Sequence, residues 1–478
     1  MSGVSYSSRD DGWFATRVLR RHARVPHLWA MGVGAVISGD FFGWNFGFQA
    51  GGFGGLMVAL GVVTLLYIGL SFSLAEMSPA LPHAGGAYSF ARTAMGPMAG
   101  YVTGLAENME YIFTPATIVV GAGGYLGAIF GTPAQFAPLW WLACYVVFVG
   151  LNIHGVELSF QVCVWITLCA LAVLAIFYAG ALPMVDFQRW ALAGGPFLPK
   201  GSSGVLAALP FAIWVYLGIE QLPLSAEETH DPGRDLPKGI LLALATLIVC
   251  SFATPALSGA IAPGAAAIAT STEPLLAGFR TIFGANAWSK LLAAFACTGL
   301  IASFHAIIYA YGRQIFSLSR SGYFPEWLSA IHRTRRTPVR ALVVGAAIGY
   351  GAALVIWAAG ENSAVGAVLL NMAVFGAVIA YVFQMVSFII LRVRFPKIAR
   401  PYRSPLGVAG AAMAAVLSAV TLIALFQNPD YRRGVWGAAV WFACGVLYFV
   451  GYARKRLILA PEEAFAIAVE SEAEAAGE

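Results

Sequence analysis

Four carboxylates stand where hydrocarbon is expected. Asp40, Glu107, Glu110 and Glu220 each fall inside long apolar stretches of a 478-residue chain that is 59% hydrophobic and only 11% charged. At mid-bilayer depth such a charge costs on the order of 2.5–3.5 kcal/mol or more unless it meets water, a partner or a ligand. Asp40 and Glu220 also lie beside glycines that interrupt their hydrophobic runs, the pattern of helices that break around a binding site. Acids in that setting attract a small cation. They can also exchange a proton, since burial disfavours their charge and a nearby cation favours it.

The elements that hold these acids follow from composition. A water-soluble domain of this size carries roughly twice this fraction of charged residues, so the chain belongs in a bilayer. About twelve apolar runs are each long enough to cross a ~30 Å hydrocarbon core as a helix: 28–50, 54–78, 99–129, 136–155, 157–182, 204–227, 238–262, 286–318, 339–358, 362–391, 406–427 and 432–453. An N-terminus inside the cell puts all but six of the 28 Lys and Arg residues on the inner side. The six are Arg189, Lys200, Arg280, Lys290, Arg432 and Arg433, and the bias predicts both termini inside. The net charge of +5 is then topology and not a nucleic-acid footprint.

Residues 1–27 read as a polar, basic leader without the short apolar core of a cleavable signal. The acidic, Ala-rich tail 454–478 reads as solvated or loosely helical. Residues 28–453 read as one membrane domain. The six cysteines all fall in apolar spans without a CxxC or Cys/His cluster, so they read as small core residues and imply no metal or disulfide. No cofactor is implied.

Span one is interrupted at SGDFFGWNFG (38–47), and span six carries WVYLGIE (214–220) within its hydrophobic run. That echo predicts an all-α membrane fold with a five-plus-five inverted repeat. Repeat one covers about 28–182, repeat two about 204–391, helices one and six are broken, and two extra helices follow over 406–453. Gly39, Gly43 and Gly218 read as site-lining breaks. Gly51, Gly52, Gly54 and Gly55 read as close-packing glycines. The string AEETHDPGRDLPKGI (226–240) ends span six, turns through Asp231-Pro232-Gly233 and starts the next helix at Asp235 ahead of Pro237.

That string, with PHAGGAYSFARTAMGP (82–97), GRQIFSLSRSGYFPEWL (312–328) and RTPVRAL (336–342), resembles the amino acid–polyamine–organocation transporter superfamily over residues 28–453. Members commonly hold a substrate carboxylate at an uncharged Gly/Ser-rich turn in span one. Here Asp40 occupies that turn, and SGDFFGWNFG with QAGGFGG (49–55) resembles the ethanolamine permeases, whose substrate is an amino alcohol without a carboxylate. Asp40 could instead cap the free amides of the half-helix that follows.

The resemblance implies further roles. Registering GAGGY against the third-span stretch of the superfamily places Glu110 on the pocket, with Thr114 one turn on and Glu107 facing water toward the inside. Glu107 and Glu110, one turn apart, point broadly to one side, and Pro115 would loosen the helix near Tyr111. Trp214 to Glu220 resembles the span-six pattern of arginine antiporters, making Trp214 a gate-side aromatic and Glu220 proton-responsive. Ser303, His305 and Tyr309 fall on span eight, which lines the pathway, and His305 is a candidate proton carrier. Span five lacks the Lys that proton-coupled relatives often place there.

The expectation is a multi-pass plasma-membrane permease of the bacterial inner-membrane type, importing ethanolamine by alternating access with protons. Asp40 and Glu110 would face the ammonium, Trp44, Trp214 and Tyr216 would enclose it, and Asn45 and Gln221 would take the hydroxyl. Glu220 and His305 would handle the proton. A cationic amino acid or polyamine exchanger is the near alternative, and a channel a further one. A membrane enzyme lacks a nucleophile–base pair at recognisable spacing.

Overall fold

The structure is a computed structural model that describes residues 4–271, 273–284, 287–359, 365–427 and 432–475. Among them, ten helices are long and apolar enough to cross a membrane. The other two expected spans are present in different form. One is the 34-residue helix Pro97–Phe130, about 50 Å long at ~1.5 Å per residue. The other is span one, which is broken.

Span one runs Val25–Val36 and Ser38–Phe41, is extended at Phe42, turns at Gly43 (φ 95°) and resumes at Phe46. The helix Phe46–Ala80 then bends at Gly52 (φ 73°), so 46–51 completes span one and 53–80 forms span two. Two glycine assignments change accordingly. Gly52 is a break and not merely a packing residue, because its left-handed φ is one that side chains rarely adopt. Gly39 lies within a helical turn, where a Cβ would meet the Trp214 carbonyl oxygen and Val215 Cα at 2.8 Å. It permits close approach between the two broken spans.

Span six is Gly201–Trp214, an irregular stretch ending at Gly218 (φ 112°), and the 3₁₀ helix Ile219–Glu228. The next helix begins earlier than expected. Asp231 caps it, its side chain accepting the Arg234 amide, and Pro232 is its first residue, the position where a missing N–H costs nothing. Helix Pro97–Phe130 continues through Pro115.

Two short helices that the hydrophobic pattern does not mark, Ala265–Ile268 and Pro274–Phe283, follow span seven. Both termini meet at the opposite end, where Tyr6–Ser7 pairs in parallel with Leu457–Ile458. The tail forms the helix Pro461–Ala475 with Glu462 and Glu463 buried. The expectation of a solvated tail does not hold for these residues.

Candidate functional site

Breaking a helix in hydrocarbon frees backbone groups that need new partners, and the breaks find them in their own side chains, in each other and in spans three and eight. Trp214 Nε1 donates to the Phe42 carbonyl at 2.8 Å, and Trp44 Nε1 donates to the Asp40 carbonyl at 3.0 Å. Tyr125 reaches the Phe41 carbonyl at 3.3 Å. From span eight, Ser303 donates to the Gly34 carbonyl at 2.7 Å and accepts from the Ser38 amide at 2.9 Å. In span six, the Gly218 amide donates to Glu220 Oε1 at 2.9 Å. Trp44 and Trp214 therefore fasten the breaks through their indole N–H groups while their rings remain in the wall.

Asp40 is fully buried, and neither carboxylate oxygen has a hydrogen-bond partner among the described residues. It caps no amide, which removes the alternative reading of this acid as a structural cap. The carboxylate faces Thr254 on span seven and lies within electrostatic reach of Tyr178, Tyr216 and Cys250. Tyr178 and Thr254 share a hydrogen bond of 2.7 Å. The neighbours of this acid are thus neutral hydroxyl, thiol and aromatic groups.

The glutamates form a separate centre. Glu110 and Glu220 lie within hydrogen-bonding reach of each other, yet neither Glu110 oxygen, nor Glu220 Oε2, receives a hydrogen bond from the described residues. Tyr381 reaches Glu220 and bonds Tyr67 at 2.8 Å. Tyr67 stacks on Tyr216 with ring centroids 5.0 Å apart, and the Tyr216 hydroxyl meets Thr64 at 2.7 Å. Glu110 was expected beside Asp40, but its close acidic partner is Glu220, with Tyr216 and Tyr67 standing between the two centres.

Glu107 is not water-facing. It is buried and accepts hydrogen bonds from Gln314 at 2.7 Å and Tyr111 at 3.3 Å. Asn45 donates to the Ile268 and Ser271 carbonyls at 2.8 and 2.9 Å, tying the break to the short helix after span seven and leaving Oδ1 unpartnered. Gln221 reaches the Met31 carbonyl at 3.4 Å, and its Oε1 is likewise open. His305 is placed elsewhere. Nδ1 meets Asn152 at 3.1 Å and Nε2 meets Ser159 Oγ at 3.0 Å, so both ring nitrogens join spans four, five and eight and neither faces the glutamates.

The hydrophobic pattern did not single out Thr254, Tyr178, Tyr67 or Tyr381. Spacing marks a helix face as apolar, and a hydroxyl on such a face is ordinarily absorbed by the preceding turn, as Thr64 Oγ1 is by the Leu60 carbonyl at 2.7 Å. Toward the end that carries the termini, the buried polar groups form ion pairs. Arg313 pairs with Glu228 at 2.9 Å, and Tyr309 bonds the same carboxylate.

Comparison with known proteins agrees with this architecture. Residues 27–457 match the family model described as amino acid permease. An uncharacterized transporter of Rhizobium meliloti is 33% identical over 328 residues, covering 66% of this chain and 69% of the relative. A methylthioribose transporter of Bacillus subtilis is 24% identical over 470 residues, 93% and 96% of the two chains. A branched-chain amino acid permease of the same organism is 25% identical over 466 residues, 91% and 94%.

Proposed function

Because the chain belongs to the amino acid permease family and is a multi-pass membrane transporter, we propose that its cargo is ethanolamine, imported across the plasma membrane by alternating access with protons. The observation that carries this reading is Asp40, a buried carboxylate at the span-one break with both oxygens unpartnered among the described residues. An isolated buried charge is costly, and an ammonium group offsets that cost. A zwitterionic amino acid would set a second carboxylate near Asp40, whereas an amino alcohol brings only the cation.

In this reading the ammonium pairs with Asp40 between Trp44, Trp214 and Tyr216, where an aromatic face adds ~0.5–2 kcal/mol. The substrate hydroxyl goes to the Thr254–Tyr178 pair, with the open oxygens of Asn45 and Gln221 as further acceptors. Glu220, paired with Glu110, carries the proton, and Tyr216 and Tyr67 relate its state to that of Asp40. The end bearing both termini is cytoplasmic by its excess of Lys and Arg.

A second reading, a diamine or cationic amino acid, is favoured by the presence of two buried acidic centres without an ion-pair partner among the described residues, which a dication could span. Counterflow of labelled ethanolamine into proteoliposomes tests both. Saturable counterflow, blocked by unlabelled ethanolamine and driven by an imposed proton gradient, is expected. Absence of ethanolamine counterflow, with saturable counterflow of labelled putrescine or arginine in its place, would move the assignment to the second reading. Non-saturating flux would instead indicate a channel.

A further inference from the structure

The end that carries both termini is bound by its own tail. Glu462 pairs with Arg320 and accepts from Ser317 Oγ at 2.8 Å. Glu463 pairs with Arg92 at 2.6 Å and accepts from the hydroxyls of Tyr6 and Tyr323, each at 2.8 Å. Arg320 also holds Glu227 at 2.5 Å, and Glu227 accepts the Ala84 amide at 3.0 Å. His83, beside Ala84, packs edge-on against Phe465 of the tail with ring centroids 5.6 Å apart.

The tail helix thus joins span eight, the 82–95 segment and the leader beside the segment 219–228, whose Glu227 and Glu228 are held by Arg320 and Arg313. Its two carboxylates are buried in ion pairs. Removing one partner of such a pair is strongly destabilising even where the whole pair contributes little, so loss of Glu462 or Glu463 weakens docking. A cargo can leave at this end only if Glu227 and Glu228 part from Arg320 and Arg313. While the tail is docked, Arg320 and the 82–86 loop are held against that parting.

We propose that the C-terminal helix Pro461–Ala475 is a latch: docked through Glu462 and Glu463, it holds the pathway closed at this end, and it must release for that end to open. The inference does not rest on the identity of the cargo. Its test is the rate at which a cysteine in the segment 219–228, Ser225→Cys, reacts with a membrane-impermeant maleimide applied from the terminus-bearing side of proteoliposomes. Chains that retain Ser225 but carry the crosslinkable His83→Cys and Phe465→Cys pair, pinned or reduced in parallel and freed of reductant before labelling, measure the background from the six native cysteines and from the two thiols that reduction frees.

In one form, His83→Cys and Phe465→Cys are joined by a reducible crosslink. In the other, Glu462→Gln and Glu463→Gln release the tail. Pinning should slow labelling about tenfold, with recovery on reduction, and release should speed it by a similar factor, as expected when a minor open state is depleted or enriched. Equal labelling in the pinned and reduced protein would overturn the latch and make the tail a fixed strut. That comparison uses a single folded preparation, so it decides the question even if the double Gln variant fails to fold.

Discussion

Replacing Asp40 by Asn separates its charge from its shape. Its carboxylate has no ion-pair partner among the described residues and faces the Thr254 hydroxyl without a hydrogen bond of normal geometry, so the substitution removes a buried charge and leaves a group of the same shape against Thr254. Losing one member of a buried ion pair costs about 3–5 kcal/mol. The amide oxygen still accepts a hydrogen bond from an ammonium, recovering about 1 kcal/mol. The net loss of ethanolamine binding is therefore about 2–4 kcal/mol, roughly 30- to 1000-fold in Kd.

The ligand-free protein should move the other way. With no partner lost and a charge removed from hydrocarbon, the Asp40→Asn variant should be as stable as the parent or more so. Calorimetric titration of purified protein with ethanolamine, paired with thermal unfolding with and without ligand, reads both effects. The expected signature is an equal or raised unfolding midpoint combined with loss of the ligand-induced shift. Affinity equal to the parent would remove Asp40 from the cation site. A sharply destabilised ligand-free protein would show instead that its charge holds the break together.

Serine, which adds a carboxylate to the same skeleton, should compete at least about tenfold more weakly than ethanolamine, a difference of about 1.4 kcal/mol; equal competition in the counterflow assay would contradict the charge argument. Glu220→Gln should flatten the pH dependence of uptake while retaining binding, because a neutral amide cannot titrate; an unchanged profile, or accumulation driven by sodium, would place coupling on another residue. Thr254→Val should weaken ethanolamine by about 0.5–1.5 kcal/mol and leave ethylamine unaffected, so an equal loss for both amines would deny Thr254 the hydroxyl. Gly39→Ala should impair transport and lower stability, since its Cβ would meet span-six backbone atoms at 2.8 Å; parental activity and stability would show that the spans separate at no cost.

Different features were legible for different reasons. The spans follow from length and apolarity, which act along the chain, and both broken helices are marked by glycines at positive φ, Gly43 and Gly218. What spacing does not give is rotation about a helix axis relative to distant neighbours. Glu107 and Glu110 are one turn apart, yet Glu107 meets Gln314 of span eight and Glu110 meets Glu220 of span six. The isolation of Asp40 was readable from its own setting, while its neighbours Thr254 and Tyr178 were not, because a hydroxyl in an apolar span looks the same whether it bonds its own turn or faces a distant side chain.

The tail shows the same limit at long range. An acidic, Ala-rich segment reads as solvated because like charges repel and few apolar groups reward docking. That inference treats the charges as partnerless, and here their partners are remote: Arg92 lies 371 residues from Glu463, and Arg320 lies 142 from Glu462. Both arginines belong to motifs already notable for their position, after span two and at the end of span eight. A buried arginine at a helix end requires a carboxylate from somewhere. Glu227 meets part of that need for Arg320, and the tail supplies the rest for Arg320 and the ion-pair partner of Arg92. The charges that seem most dispensable in the sequence are thus the ones that tie the polar end of the bundle together, whereas the most anomalous one, Asp40, has no ion-pair partner among the described residues.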